Sequence, residues 1–233
     1  MKLYHFVAYV VNNYDGLITI PFYDCKIGYD MLLYIKYILK WVTVSMNIVL
    51  ASKSPRRKEL LSLLDLDFEI ITADIDETMD SSLPVTDEVA RISYQKADAV
   101  AGKLDSDTVV ISADTIVELD GIIMGKPKNA QEAMNMLSSL SGKSHNVHTA
   151  VTVLKGKEHL TRVVTTAVTF RDITDEEITA YIKTQEPMDK AGAYGIQGRA
   201  SKFVSGIVGD YFNVVGLPVC ELSLMLKKFD INI

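Results

Sequence analysis

Residues 49–61 read VLASKSPRRKELL. A short apolar run gives way to Ser52 and Ser54, then Pro55, then Arg56 and Arg57 side by side, then leucines. Ser54 can cap a helix, and Pro55 suits the first helical position, where its missing N–H would have no intrahelical partner. A helix N-terminus presents free N–H groups and partial positive charge, so it favours an anion and disfavours two arginines. The pair therefore reads either as a solvated basic helix start or as a grip on an anion, since guanidinium groups take phosphate oxygens two at a time.

Other residues carry chemical potential of the same kind. Asp114 interrupts the apolar run VVISADTIV. A carboxylate there is costly to bury unless it is paired or metal-bound, and the plainer reading is a strand-end acid satisfied locally. Lys126 stands between Gly125 and Pro127, as a fixed cation or as an ordinary turn lysine. The DIDET stretch at 74–78 places Asp74, Asp76 and Glu77 close together. Such oxygen donors suit Mg²⁺, although a bland acidic loop has the same composition. DIDET also mimics the nucleophile motif of haloacid-dehalogenase-type phosphatases, but hairpins stand where that fold needs strand–helix alternation, and Asp210 is the lone later acid in GDYFNVV.

Residues 186–201, EPMDKAGAYGIQGRAS, surround Asp189, Lys190, Gln197 and Arg199 with glycines. Glycines allow a backbone to approach a ligand closely, and a glutamine amide can donate to and accept from a base edge at once. An irregular surface loop would look similar. A P-loop does not fit: SGKS at 141–144 has Leu137 where the first glycine belongs, and GKP at 125–127 lacks the hydroxyl residue. His145 and His148 have no carboxylate or cysteine at ligand spacing and read as structural. Cys25 and Cys220 form no CxxC, which argues against zinc and disulfide frameworks and for a reducing cytoplasm.

These groups need elements to position them. NIVLA (47–51) and FEIIT (68–72) read as strands, with a helix from Pro55 to about Leu64 between them. A helix from Thr86 to about Ala101 has an apolar face of Val89, Ala90, Ser93, Ala97 and Val100, and Gly102 fits its end. Residues 108–119 are β-branched, and Asp120-Gly121 predicts a hairpin into IIMG. Capping-box patterns at Asn129/Glu132 and Thr174/Glu177 open helices to about Leu140 and Lys183. A second hairpin turns at KGKEH, and a last helix spans Pro218 to Phe229. Helices interleaved with strands and hairpins predict an α/β fold on a mixed sheet.

The net charge of −6 and a pI near 5.3 argue against a general nucleic-acid binder, so a bound anion needs locally concentrated cations. Residues 1–45 differ from the rest in their aromatic density, with Tyr4, Phe6, Tyr9, Tyr14, Tyr34 and Trp41 among them. They lack a signal-peptide pattern, and MLLYIKYILKWVTV is short for a membrane span and carries Lys36 and Lys40. They read as an extension upstream of a functional domain at 46–233, with a misassigned start as one explanation.

In order, LASKSPRRKELL, SADTIV, GKP, LSGKSHNVHTAV, EPMDKAGAYGIQG and GDYFNVVGLP resemble the Maf family of nucleoside triphosphate pyrophosphatases, which is associated with septum formation. The resemblance implies a two-lobed, ITPase-like α/β fold around an elongated, twisted mixed sheet with a deep cleft, and a cytoplasmic homodimer. It implies water attack at the α-phosphorus of a nucleotide with a divalent metal, Mg²⁺ or Mn²⁺. Asp114 is then the proton acceptor, and Arg56, Thr115 and Gln197 set substrate choice. Ser52, Arg57, Lys96 and Lys126 contact the triphosphate, and Glu77 and Asp114 lie on the metal side. Asp114-Thr115 and the Ile-Gln-Gly segment resemble the dTTP/UTP branch and not the 7-methyl-GTP branch. A nucleotide-binding regulator with little turnover is the alternative from another class.

Overall fold

The computed structural model describes residues 8–13, 16–21, 47–80 and 83–233. The chain divides into two compact units, 1–45 and 46–233. In the first, β1 (Ala8–Asn13) and β2 (Gly16–Pro21) form an antiparallel hairpin. The MLLYIKYILKWVTV segment lies outside the described residues. Among those described, no helix is long and apolar enough to cross a membrane.

The second unit is a seven-stranded mixed sheet with flanking helices, as the interleaved pattern predicts. Its strands are β3 (Ile48–Leu50), β4 (Glu69–Ile70), β5 (Val109–Leu119), β6 (Ile122–Met124), β7 (Ser144–Lys155), β8 (Glu158–Phe170) and β9 (Val204–Val208). The helices are α1 (Pro55–Ser62), α2 (Val85–Ala101), α3 (Ala130–Leu140), α4 (Asp175–Ile182), α5 (Tyr211–Val215) and α6 (Val219–Lys227). The order is β4-β3-β5-β7-β8-β9, with β6 also on β5. β3 runs parallel to β4 and β5, and every other pairing is antiparallel.

Local chemistry accounts for most boundaries. Asp120 and Gly121 both take positive φ, 52° and 82°, as the tight turn between β5 and β6 requires. Thr174 and Glu177 make both bonds of their capping box. The Asn129 box is only half formed: Asn129 accepts from Glu132 N at 2.9 Å, but Glu132 accepts from Lys128 N instead. α2 starts at Val85, directly after Pro84, one residue before the sequence suggests. β9, α5 and three short 3₁₀ turns between 186 and 203 have no clear periodic signal in the sequence.

Two features of β5 place the site. It is buried along nearly its whole length, and β7 pairs with one edge from Val109 to Glu118. The other edge is shared by two short strands, β3 opposite Val109–Ile111 and β6 opposite Val117–Leu119. Residues 112–116 lie in the gap between them. Second, α2 packs on β5 and β7 through a polar contact. Ser93, expected on an apolar face, is fully buried, with its hydroxyl 3.3 Å from Ser112 Oγ and 2.9 Å from Thr152 Oγ1. Ser112 Oγ also donates to Ser93 O at 2.6 Å.

Losing one partner of a buried hydrogen-bond set exposes the others to an unmet desolvation penalty. Ser93→Ala is therefore expected to lower the unfolding free energy by about 1–2 kcal/mol. The urea midpoint measures it, and an unchanged midpoint would mean that the contact does not stabilise the α2–sheet packing.

Candidate active site

The gap beside β5 opens into a cleft of about 1340 Å³. Its lining includes Ser52, Arg56, Arg57, Glu77, Lys96, Asp114, Thr115, Lys126 and Gln197, so all nine positions that the family resemblance points to meet in one cavity, while Arg199, Asp210 and the two histidines lie outside it.

Asp114 and Thr115 are neighbours on a strand, so their side chains leave on opposite faces. The face of Asp114 is the α2 face. Its carboxylate, 7% exposed, accepts from Lys96 Nζ at 2.7 Å. Lys96 also reaches Glu77 Oε1 at 3.1 Å, so one ammonium joins two carboxylates. Lys96 comes three residues after Ser93, and Asp114 two after Ser112. Those steps advance about 4.5 Å on a helix and 6.6 Å on a strand, so the serine contact and the ion pair form successive rungs.

Glu77 is carried by the 74–80 loop, which an ion pair between buried Glu88 and half-buried Arg91 ties to α2. Glu88 is fully buried and takes Arg91 at two points, 2.8 and 2.6 Å. Glu88 also accepts from Asp80 N at 2.9 Å, and Arg91 donates to Thr78 O at 3.0 Å. The Arg91 bonds hold the Glu88 carboxyl below its usual range. Asp76 is used locally, accepting from Thr78 N at 2.9 Å, and Asp74 pairs with Lys53 at the surface. Neither has the setting of a buried nucleophile, which removes the dehalogenase-type reading.

The face of Thr115 looks to α1. Arg57 donates to Gly216 O at 2.8 Å, to Ser52 Oγ at 3.3 Å and to Thr115 Oγ1 at 3.0 Å. Burial pulls its guanidinium below the usual arginine range, the Asp114 carboxylate opposes this, and Arg56 adds to it. Three donors of five are thus spent on the walls. Behind it, Thr115 Oγ1 lies 3.0 Å from Thr149 Oγ1, and Thr149 donates to Asn213 O at 2.9 Å. Arg56 is half-buried on the same helix, while Lys126 and Gln197 are exposed along the cleft. A bond from Gly192 N to Gly125 O at 3.1 Å draws the Lys126 and Gln197 loops together.

The two histidines are three apart on β7, so their rings leave on opposite faces of the sheet. His145 Nε2 is 2.8 Å from Tyr194 OH, and the ring packs edge-on against Phe170 and Tyr194. His148 Nδ1 is 2.9 Å from Thr165 Oγ1, and Glu118 comes within 3.7 Å of its other nitrogen, a carboxylate that sequence spacing does not reveal. Glu88, Arg91, Ser93, Glu186 and Asn213 also escape sequence reading. Glu88 and Arg91, three apart on a helix, look like an ordinary surface pair.

The fold and cleft are those of an α/β protein that can hold a polyanion beside a paired carboxylate. The chain belongs to the Maf family: the family model described as Maf-like protein matches residues 47–229. A dTTP/UTP pyrophosphatase of Alkaliphilus oremlandii (strain OhILAs) is 52% identical over 190 residues, covering 80% of this chain and 98% of its own. A dTTP/UTP pyrophosphatase of Bacillus cereus (strain G9842) is 48% identical over 187 residues, covering 80% and 97%. Among solved structures, a nucleoside-triphosphatase / dITP/XTP pyrophosphatase from Mycobacterium abscessus aligns with a TM-score of 0.40 and 12% identity, covering 81% of this chain and 99% of that one.

Burial lowers the His145 pKa to about 4, against the pull of Glu118. The unfolded imidazole takes a proton near pH 6.5 and the folded one does not, so stability is full above pH 6.5 and falls as the pH drops towards 4. Between pH 6.5 and 5 the loss from His145 is about 2 kcal/mol. His145→Gln should flatten the urea midpoint against pH by that amount, whereas parallel slopes would show that the folded ring titrates normally.

Proposed function

We infer that this chain is a nucleoside triphosphate pyrophosphatase that hydrolyses dTTP and UTP to the monophosphate and pyrophosphate. The relatives near 50% identity carry the substrate reading, and each is covered almost end to end. The gathering of the cations and acids in one cleft supports the reaction.

In this reading the Asp114 carboxylate accepts a proton from water as the water oxygen bonds to the α-phosphorus. The bond between the α-phosphorus and its bridging oxygen to the β-phosphate breaks, and pyrophosphate leaves. A general base needs hydrogen-bond reach of the attacking water and a fixed position. Lys96 supports both requirements by holding Asp114 from α2. Arg57, Ser52, Lys96 and Lys126 hold the triphosphate and offset charge on the leaving group. Arg56, Thr115 and Gln197 choose the nucleotide, with the Gln197 amide reading the base. Arg57 anchors the phosphates because its walls fix it, while Arg56 lacks those ties and adapts to the substrate.

The donor set also fits a divalent metal. Glu77 and Asp114 offer hard oxygen atoms converging on a position now shared with an ammonium. Among the described residues no third side chain of His, Cys, Asp or Glu joins them. Mg²⁺ commonly binds through one or two carboxylates plus substrate phosphates, and Mn²⁺ accepts similar ligands. When bound there, the metal would neutralise charge on the phosphates. The resemblance also supports a cytoplasmic homodimer.

Asp114→Asn keeps the size and the strand but removes the proton acceptor. Pyrophosphate release from dTTP and UTP should fall by at least about 100-fold, while the variant, with Lys96 left to Glu77 alone, should melt at a lower temperature but still fold cooperatively. Orthophosphate as the first product of the unaltered protein would overturn the reading. We also propose that residues 46–233 carry the activity, since the family match and the relatives align there. A protein starting at Met46 should keep kcat/KM within about twofold of the full chain, and a larger loss would give residues 1–45 a part in catalysis.

A further inference from the structure

Gln197 stands on an irregular loop, yet reading a base edge requires an amide held to within a fraction of an ångström. The loop is shaped by half-buried charged side chains packed against its glycines. Glu186 Oε1 accepts from Tyr181 OH at 3.0 Å and from Arg199 N at 3.0 Å, and Oε2 lies 3.1 Å from the same Arg199 N. Tyr181 is itself buried, and both burial and the Glu186 charge push its phenol well above the usual range. The carboxylate is thus gripped from α4 on one side and grips the peptide just beyond Gln197 on the other.

Gly198 lies against that carboxylate. A Cβ built there would fall 2.5 Å from Glu186 Cδ, so any side chain at this position must displace the carboxylate. Its φ is −99°, so glycine is needed for space and not for a left-handed backbone. Gly195 N-terminal to Gln197 repeats the device, with the Lys190 stem where a Cβ would go. Lys190 Nζ in turn donates to Glu186 O at 2.7 Å and Asp189 Oδ1 at 2.6 Å. Ile196, between the two glycines, is buried and pins the loop to the core. Gln197 is therefore suspended between a buried isoleucine and a peptide clamped by Glu186.

We propose that Glu186 is the positioning residue for substrate choice, fixing the Gly198–Arg199 peptide and through it the Gln197 amide in the cleft. This rests on the assignment of Gln197 as the reader of the base. Glu186 touches neither phosphate nor the attacked phosphorus in this scheme. Its loss should change which nucleotide is preferred more than it changes the chemistry. A site built around a hydrogen bond discriminates steeply, and a small misplacement of the reader forfeits much of that.

The experiment compares kcat/KM for dTTP, UTP, CTP and GTP in the full chain and its variants, with melting temperatures alongside. Glu186→Ala should reduce the dTTP-to-CTP ratio by about tenfold or more. Glu186→Gln keeps an amide oxygen for Arg199 N and should restore the ratio to within about threefold of the parent. Gly198→Ala should mimic Glu186→Ala, and in the double variant the two effects should not add, because the added methyl acts on the carboxylate. Should Glu186→Ala fail to fold, Gly198→Ala and Glu186→Gln carry the test. An equal loss on all four nucleotides with the ratio unchanged would overturn the proposal, since that is the mark of a purely structural role. Gln197→Ala separates the two assignments. If it collapses the ratio while the Glu186 and Gly198 variants keep it, the reader stands and the clamp falls. If it leaves the ratio intact, the reader assignment fails and the clamp with it.

Discussion

A carboxylate buried in the central strand of a sheet must be compensated, and much of the second unit is arranged around that demand. Asp114 is 7% exposed, and Lys96 meets it at 2.7 Å. Removing one partner of such a pair leaves an uncompensated charge, which is far more damaging than losing a surface ion pair. The pairing fixes the register of α2 on β5, and the Ser93–Ser112 contact fixes it a second time one rung away. The same ammonium draws in Glu77, and the ion pair of buried Glu88 with Arg91 holds the loop that carries it. Each layer restricts the next, so the acid is presented from a strand and a helix and not from a free loop.

The opposite wall solves a different problem. A guanidinium near a helix N-terminus is disfavoured by the helix dipole, and here it is also half-buried. Arg57 meets both penalties by donating to a carbonyl and two hydroxyls from three separate parts of the chain. Thr115, Thr149 and Asn213 then carry that constraint into the core behind β5. One strand therefore serves both walls, with consecutive residues facing the carboxylate side and the cation side. The gap between β3 and β6 makes this possible, because a continuous partner strand would close the edge of β5 at residues 112–116.

What the sequence discloses follows from how far each interaction reaches. Short-range chemistry is legible: Ser54 and Pro55 start α1, Asp120-Gly121 turns the hairpin, and Thr174 with Glu177 opens α4. The mixed sheet is legible for the same reason, since hairpins and crossover helices leave local marks. Residues that form the cleft can be named because charges in apolar or turn contexts stand out, as Asp114 and Lys126 do. Their ties cannot, since Arg57 and Gly216 lie far apart in the chain and nothing local marks the carbonyl as a partner. Glu88 is the sharpest case: its spacing to Arg91 is that of a solvated helix pair, and only the fold buries it. The glycines of 186–201 mislead in the other direction. Gly198 and Gly195 make room for the side chains of Glu186 and Lys190, and Gly192 for Val117.

The cleft thus combines two kinds of support. The groups assigned to chemistry, Asp114, Lys96 and Arg57, stand on a central strand and two helices, where packing leaves little freedom. Of the groups assigned to choice, Gln197 stands on a glycine-bearing loop, whereas Arg56 precedes Arg57 on α1 and Thr115, on β5, accepts a hydrogen bond from Arg57. A loop held by a few half-buried charges can be reshaped without disturbing the sheet, because the clamp at Glu186 shares no hydrogen bond with Asp114 or Lys96. Residues that share no partners and lie in different packing units act nearly additively, so variation in the Gln197 loop need not cost the chemistry, while changes at Arg56 or Thr115 reach Arg57 directly. Under the proposed assignments, such a separation lets one strand carry the hydrolysis while the Gln197 loop is varied to suit different nucleotides.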